Sequence, residues 1–422
     1  MRKSWNLWME SAGPLPGWCR TALALAAAFV LWFDPSNGRA TAILACAGLY
    51  ALANGRKALA AWKNPVGALF ALGTLWAALS WIWSFDPPGT ARDLAKAVPL
   101  ALGVWAIPVF FDRPGRIWAA LLASAGAVTL RLAVDLLRLF CFLGWPSVRE
   151  AARYFHPYLY THPNVSSMMA GLCALVFAAR LLAGAPGAGR KLALAGGIAL
   201  DLAYLAAMGS RGPQAAFALA ALALPVVLLP GWRMRLAAAG LAAALGCGLW
   251  QAADRVNPRF GDHTMGNFNR RDTIWGHAKM LADLRPALGY GYGKKAFAKA
   301  VYENPAQRSP LVPVRYPHAH HYWLMLYFQG GAVALAAWSL AWLGLGVRLA
   351  RFAARAEREA AGCWTGRLRA RALPNLLGLG IAFILLYGIV DFPDNAIRHA
   401  LFFLAALALA LTAPRPSPKD AA

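Results

Sequence analysis

The sequence has few charged residues. Asp, Glu, Lys and Arg together make up 14% of its 422 residues, whereas hydrophobic residues make up 59%. A soluble domain typically has about 25% charged and about 45–50% apolar residues. The mean hydropathy of +0.46 points the same way. The composition therefore excludes an ordinary soluble domain and indicates a membrane protein.

Several signatures of soluble chemistry are also missing. The six cysteines are scattered singly, with no CxxC or other metal-binding spacing, so neither disulfides nor zinc–thiolate sites are expected. The glycine-rich run GYGYG at 289–293 lacks the GxxxxGK[ST] spacing of a phosphate-binding loop, which argues against a nucleotide site. No small-residue cleavage site follows the first apolar run near Thr21, and this favours a retained first span over a signal peptide.

Acids are scarce even among the few charged residues. The chain has 42 Lys and Arg against 18 Asp and Glu, a formal net charge of +24. In a soluble protein such an excess would suggest a nucleic-acid partner. Here no nucleic-acid-binding motif is present, and the basic clusters flank apolar segments. We therefore expect the anionic partners to be membrane lipids or a phosphate-rich substrate, and no nucleic acid.

Long apolar runs, in contrast, are abundant. Many reach roughly 17–22 residues, enough for a helix to cross the roughly 30 Å hydrocarbon layer of a bilayer. We predict an all-α polytopic membrane protein in which residues 1–422 form one transmembrane domain of about twelve helices. The predicted spans cover residues 19–33, 38–53, 65–84, 94–111, 117–144, 165–184, 191–208, 213–230, 235–253, 322–349, 374–391 and 396–413.

The distribution of Lys and Arg predicts the orientation of these spans. Dense basic clusters lie in alternate connections, such as 54–64 and 350–373, and the positive-inside rule places those in the cytoplasm together with both termini. The one long connection, 254–320 between spans nine and ten, then faces outward, into the periplasm of a Gram-negative cell. It carries eleven Lys or Arg against five acids, and its apolar spacing predicts an ordered helix over 271–284. A basic outward loop suggests an anionic ligand.

Three of the eight histidines are concentrated in the segment RYPHAHHYWL, at the mouth of span ten. His318, His320 and His321 could bind a metal, but a closed zinc site needs three or four ligands and no Cys, Asp or Glu lies nearby in sequence. They could also belong to an aromatic belt at the membrane interface with the neighbouring Tyr and Trp residues. A third reading is a general base, because a partly desolvated histidine can exchange a proton near neutral pH.

The turn MGSRGP between spans seven and eight places Arg211 at the start of a helix. Gly209 and Gly212 permit a tight turn, and Pro213 suits a first helical turn. A plain hairpin with Arg211 reaching to lipid headgroups is one reading. The other is a phosphate seat, because a helix N-terminus and a guanidinium attract the same anion.

The outward loop and the end of span eleven supply further polar candidates. Arg270 and Arg271 either pair with a neighbouring acid or are available to an anion, and Lys294 is a weaker candidate of the same kind. Tyr290 alternates with glycines in a segment suited to a tight turn that stacks on a sugar or a helix. Asp391, in the segment DFPDN, could orient a histidine or an arginine.

The order of these segments resembles that of the O-antigen ligase and polymerase superfamily. The resemblance rests on Gly209-Ser210-Arg211-Gly212, on Arg271 followed by Trp275, on Gly289-Tyr290-Gly291, and on His318-Ala319-His320. The segment THPNVSS at 161–167, with His162 and Asn164, is similar to another family element. The family's His–Asn pair is His320–His321 here, which is a departure from the pattern.

The resemblance implies a glycosyltransferase with a GT-C-like membrane fold in the bacterial inner membrane. Its donor would be a glycan linked to undecaprenyl diphosphate and its acceptor the lipid A-core oligosaccharide, with no metal and no cofactor. In these terms Arg211 and Arg271 would bind the diphosphate with help from Arg270. His320 would be the general base, with His318, His321, Asp391, Tyr290 and Lys294 in supporting positions.

Three other functions remain compatible with parts of the sequence. A polymerase that joins lipid-linked repeat units would share these motifs, and an oligosaccharyltransferase would transfer glycan to protein instead. A transporter of the lipid-linked glycan would need ionisable residues near the middle of the bilayer. Here the polar candidates concentrate on one outward face, which favours an enzyme. The basic outward loop suits a phosphorylated acceptor and therefore favours a ligase.

Overall fold

A computed structural model describes residues 17–33, 38–53, 55–143, 162–184, 187–256, 260, 271–303, 318–360, 363–392 and 395–413. Helices make up 87% of these residues, and no strand occurs among them. The predicted all-α class is therefore confirmed.

Twelve helices lie where the sequence predicts spans, and four shorter helical segments lie between them. We number the α-helices in chain order. They are α1 Gly17–Phe33, α2 Gly38–Ala53, α3 Gly55–Trp62, α4 Pro65–Leu79, α5 Pro87–Phe110, α6 Pro114–Leu143, α7 Pro163–Leu182, α8 Ala188–Met208, α9 Arg211–Leu228, α10 Trp232–Gln251, α11 Ala253–Val256, α12 Arg271–Asp283, α13 Lys294–Ala298, α14 Tyr322–Glu359, α15 Trp364–Val390 and α16 Asn395–Thr412. A π-helical turn, Lys299–Glu303, follows α13.

Seven of these helices are long and apolar enough to cross a membrane: α5 to α9, α14 and α15. Apolar parts of α1, α2, α4 and α16 are shorter, and α10 begins with two arginines, which lowers its hydropathy. The chain is thus a polytopic membrane protein, although seven helices rather than twelve meet the length and hydropathy expected of a span. Helix α12 confirms the predicted helix in the long connection between predicted spans nine and ten.

Helix α14 is broken at Gly330 and Gly331, where the backbone leaves helical geometry. The glycine-rich segment 286–291 packs against this break and bonds its backbone groups. Ala332 donates its N–H to the Pro286 carbonyl at 2.7 Å, and Tyr290 and Gly291 donate theirs to the last carbonyls before the break at 2.9 and 3.0 Å. A side chain at Gly289 or Gly331 would collide with facing backbone. Such pairing is required because buried backbone groups left without bonds are costly.

The same loop is anchored to the start of α5. Asp93 on α5 accepts the backbone N–H of Lys294 at 3.0 Å, which caps α13. Asp86 pairs with Lys299 at 3.6 Å. The loop therefore links the break in α14 to the start of α5, at the end of the bundle where α7 and α9 begin and α15 ends.

Candidate active site

Asp391, the residue that follows α15, is the centre of a polar cluster drawn from four parts of the chain. Its side chain is buried, with 8% exposed. One carboxylate oxygen, Oδ1, bonds to His320 Nδ1 at 2.7 Å and accepts the Phe392 backbone N–H at 2.8 Å. The other oxygen, Oδ2, accepts from Tyr387 Oη at 2.9 Å, Asn164 Nδ2 at 3.0 Å and Arg271 at 3.2 Å. Five donors thus converge on one buried carboxylate.

These contacts determine the charge of Asp391. Burial raises the pKa of this carboxyl, but the His320 hydrogen bond and the charge of Arg271 outweigh burial and hold the pKa well below its ordinary range. Asp391 is therefore ionised at physiological pH. An ionised carboxylate only accepts hydrogen bonds, so the hydrogen between the two groups lies on His320 Nδ1. In the neutral imidazole the lone pair is then on Nε2, the arrangement that a general base needs.

A pocket of about 240 Å³ opens on the Oδ2 side of Asp391. Arg211 and Arg271 both contribute to its wall, so the structure brings together the two arginines that the sequence assigns to a diphosphate. The described residues that line it are His162, Asn164, Ser210, Arg211, Gly212, Arg271, Tyr387 and Asp391.

The start of α9 forms one side of this pocket. Gly209 ends α8 with a left-handed backbone (φ 57°), which permits the two-residue turn that Ser210 completes. Ser210 Oγ donates to Asn164 Oδ1 at 2.8 Å and makes no side-chain hydrogen bond to cap α9. The first N–H groups of α9 and the positive end of its dipole thus lie at the pocket, a favourable environment for an anion.

The three clustered histidines make different contacts. His321 Nδ1 accepts the N–H of Leu324 at 3.2 Å and so caps α14. Burial lowers the pKa of His321 and so favours the neutral imidazole, which can accept this bond. His318 Nδ1 accepts the backbone N–H of His320 at 3.3 Å. His320 bonds to Asp391 through its side chain, and its carbonyl accepts Trp275 Nε1 at 3.2 Å.

Of the His–Asp pair, only Asp391 forms part of the pocket wall; His320 lies beside the pocket. Asp391 lines the pocket, whereas His320 is on the Oδ1 side of the carboxylate and does not occur among the lining residues. The carboxylate therefore separates a cationic side, with Arg211 and Arg271, from a histidine side. Two reactants that meet at this point would approach from different directions.

Two of the weaker candidates lie outside this cluster, and one is not described. Tyr290 is 1% exposed, stacks on Phe328 at 4.7 Å and lies under the Arg285 guanidinium at 4.9 Å. Lys294 begins α13 and anchors the loop through its backbone. Both residues support the loop against the break in α14. Arg270 lies outside the described residues.

The Asp391 cluster and the pocket contain several residues to which the sequence alone assigned no site role. Asn164, Ser210 and Tyr387 each bond within the Asp391 cluster, and His162 and Gly212 line the pocket. Asn164 lies in a segment that resembles a family element, and Tyr387 lies one helical turn before Asp391. That i, i+4 spacing is a signal that a search for partners of Asp391 could have used.

One group in the described part of the chain also has the geometry to hold a metal ion. Single ligand atoms of His318, His320 and Asp391 lie within 4.8 Å of one another. A zinc site would need a fourth ligand, from water or from substrate.

The fold and the site together define a polytopic membrane protein with an arginine-lined pocket and an adjacent His–Asp pair at one end of the bundle. The region from residue 196 to residue 339 matches the family model described as O-Antigen ligase. The match contains the Arg211 turn, α12, the glycine-rich loop and the histidine segment, and it confirms the resemblance to the O-antigen ligase superfamily. A comparison with curated proteins found no match.

Proposed function

We propose that this protein is an O-antigen ligase. In this reaction a glycan moves from undecaprenyl diphosphate to a sugar hydroxyl of the lipid A-core oligosaccharide, and undecaprenyl diphosphate is released. The observation that carries the proposal is the pocket at which Arg211, Arg271 and the start of α9 face one another beside the Asp391–His320 pair. Ligases and polymerases are the membrane glycosyltransferase-like members of this family.

The cationic side of the site suits a diphosphate leaving group. Negative charge on the departing diphosphate increases as the bond to the sugar breaks. Only stabilisation that grows in the transition state raises the rate, and fixed guanidinium and N–H groups supply it without reorganisation. Arg211 and the N-terminus of α9 would bind one phosphate. Arg271 keeps Asp391 as a partner at 3.2 Å and would bind through its other N–H groups.

The histidine side suits the acceptor. His320 would remove the proton from the attacking hydroxyl through Nε2, while Asp391 stabilises the imidazolium that forms. General-base catalysis is worth about 10²–10⁴-fold. Because the arginines and His320 flank different oxygens of Asp391, donor and acceptor would reach the carboxylate from its two sides. No resident metal or cofactor takes part in this proposal.

The proposed location is the bacterial inner membrane, with both termini in the cytoplasm and the site facing the periplasm. The basic residues near the end of α14 and the start of α15 support this orientation through the positive-inside rule. A reporter inserted between residues 350 and 373 should be accessible only from the cytoplasm. Detection of that reporter from outside would place the site on the wrong side for its donor.

An O-antigen polymerase is the second candidate, because the family model supports either activity. Lipopolysaccharide from cells that lack this gene separates the two. With a ligase, free lipid A-core and glycan on undecaprenyl diphosphate should both accumulate. Core capped by a single repeat unit would indicate a polymerase, and an unchanged pattern would contradict both and favour a transporter.

The same strain tests the site. A His320→Ala copy and an Arg211→Ala copy should each fail to restore the wild-type pattern, although both proteins reach the membrane in normal amounts. Restoration by either variant would remove that residue from the mechanism.

A further inference from the structure

His318 hydrogen-bonds to the backbone of His320, the proposed base, whereas the imidazole of His320 bonds to Asp391. Its Nδ1 accepts the N–H of His320 at 3.3 Å, and the two imidazole rings are 4.3 Å apart. The side chain is itself buried, and its ring packs against Phe392, the residue after Asp391, at 5.0 Å. His318 therefore joins the two segments that carry the His–Asp pair.

The backbone of His320 explains why such a contact is needed. His320 is the one residue other than glycine in the described part of the chain that has a positive φ, 50°. This left-handed conformation is uncommon for residues other than glycine; Asn, Asp and His adopt it more often than the rest, and for Asn and Asp local hydrogen bonds stabilise it. A side-chain acceptor two residues before a backbone N–H closes the same kind of turn as an Asx turn. His318 supplies that acceptor.

The carbonyl side of His320 is held as well. Trp275 on α12 donates its indole N–H to the His320 carbonyl at 3.2 Å, and its ring meets His321 edge-on at 5.3 Å. The N–H, the carbonyl and the imidazole of His320 are thus each bonded to a different residue. The two backbone bonds orient the peptide, and this orientation aims the imidazole at Asp391.

We infer that His318 is a positioning residue, which holds His320 in its left-handed conformation and thereby sets the direction of the proposed base. The inference rests on the proposed function, because it gives His318 a role in the same transfer reaction. It differs from the hypothesis of a metal site, in which His318 would be a ligand together with His320 and Asp391. It also differs from a general packing role for a buried ring.

Replacement of His318 by asparagine distinguishes the positioning role from the metal-ligand role and from general packing. Asn Oδ1 can accept the N–H two residues later, as His318 Nδ1 does, so His318→Asn keeps the turn and removes the imidazole. His318→Ala removes both. We would purify the full-length variants and measure initial rates of glycan transfer from undecaprenyl diphosphate to lipid A-core at varied acceptor concentration.

For a positioning residue, His318→Ala should lower kcat by about 10²-fold with little change in the acceptor KM, because a misplacement of about 1 Å costs that much. His318→Asn should recover most of the lost kcat. An Asn variant as slow as the Ala variant, with both folded as judged by thermal unfolding, would overturn the inference. If added Zn²⁺ or Mg²⁺ raised the activity of wild type but not of His318→Asn, the metal reading would replace it.

His321→Ala is the comparison variant, because it removes a helix cap in the same segment and leaves the hydrogen bond between His318 and the His320 N–H in place. It should lower the unfolding temperature as His318→Ala does and lower kcat much less. An equal loss of kcat in both would mean that general disturbance of the segment explains the effect. His320→Ala distinguishes failure of this inference from failure of the proposed function: if it transfers glycan at the wild-type rate, the function assigned to the pair is wrong.

Discussion

Two carboxylates at opposite ends of the bundle, the buried Asp391 and the half-buried Glu357, have similar partners and different surroundings. Asp391 follows the last residue of α15, and Glu357 near the end of α14 bonds to Arg371, which lies 20 residues before Asp391 along α15. That separation corresponds to about 30 Å. Each carboxylate accepts hydrogen bonds from arginine and from backbone N–H groups.

The partners of Glu357 are arginine side chains and a backbone N–H group. Glu357 accepts from Arg371, from Arg235 at 2.8 Å and from the Gly231 backbone N–H at 3.1 Å. Arg371 also donates to the Val227 carbonyl at 2.7 Å, so the cluster ties α9, α10, α14 and α15 together. Asp391 instead lines a pocket and bonds to a histidine. An ion pair alone therefore does not distinguish the two clusters; the adjoining pocket and the histidine partner of Asp391 do.

The largest effect that separates the two clusters is expected for Asp391→Asn. The amide keeps the shape but leaves Arg271 without its countercharge and no longer stabilises a protonated His320. We expect transfer per folded molecule to fall by about 10³-fold, within the range that general-base catalysis supplies. Single-turnover transfer by the purified variant measures this. Near-normal transfer would show that Asp391 is only structural.

A smaller effect, on stability alone, is expected at the other end. Arg371→Ala leaves Glu357 with Arg235 as its remaining ionic partner, and the loss of a hydrogen bond to a half-buried charged group destabilises a protein by about 1.5 kcal/mol. The melting temperature in detergent should fall, while transfer per folded molecule stays near the wild-type value. A loss of transfer as large as that of Asp391→Asn would mean that the two clusters act together and that the comparison is wrong.

Much of the helical framework was predictable because apolar periodicity is a local property. All twelve predicted spans coincide with helices, and α12 begins at the predicted residue, Arg271. The break in α14 was not predicted, although Gly330 and Gly331 stand side by side. Its backbone groups are bonded by a loop about 40 residues earlier in the chain, and no local pattern shows that contact.

Only those residues of the candidate site whose side chains are charged or titratable could be predicted from the sequence. Arg211, Arg271, His320 and Asp391 stood out because charged and titratable groups are rare in this chain. Asn164 and Tyr387 did not, because an amide and a phenol have many ordinary roles near a membrane. Asn164 bonds to Asp391 across 227 positions of sequence, a contact that only the folded chain brings about, whereas Tyr387 lies four positions before Asp391 along α15.

The most direct test is transfer by the purified protein in vesicles, with undecaprenyl-diphosphate-linked glycan as donor, lipid A-core as acceptor and EDTA present throughout. We expect wild type to move glycan from undecaprenyl diphosphate to lipid A-core under these conditions. We expect no transfer by Arg211→Ala. Transfer by Arg211→Ala at the wild-type rate would contradict the diphosphate pocket. A strict need for a divalent cation would contradict the histidine base and assign His318, His320 and Asp391 to a metal.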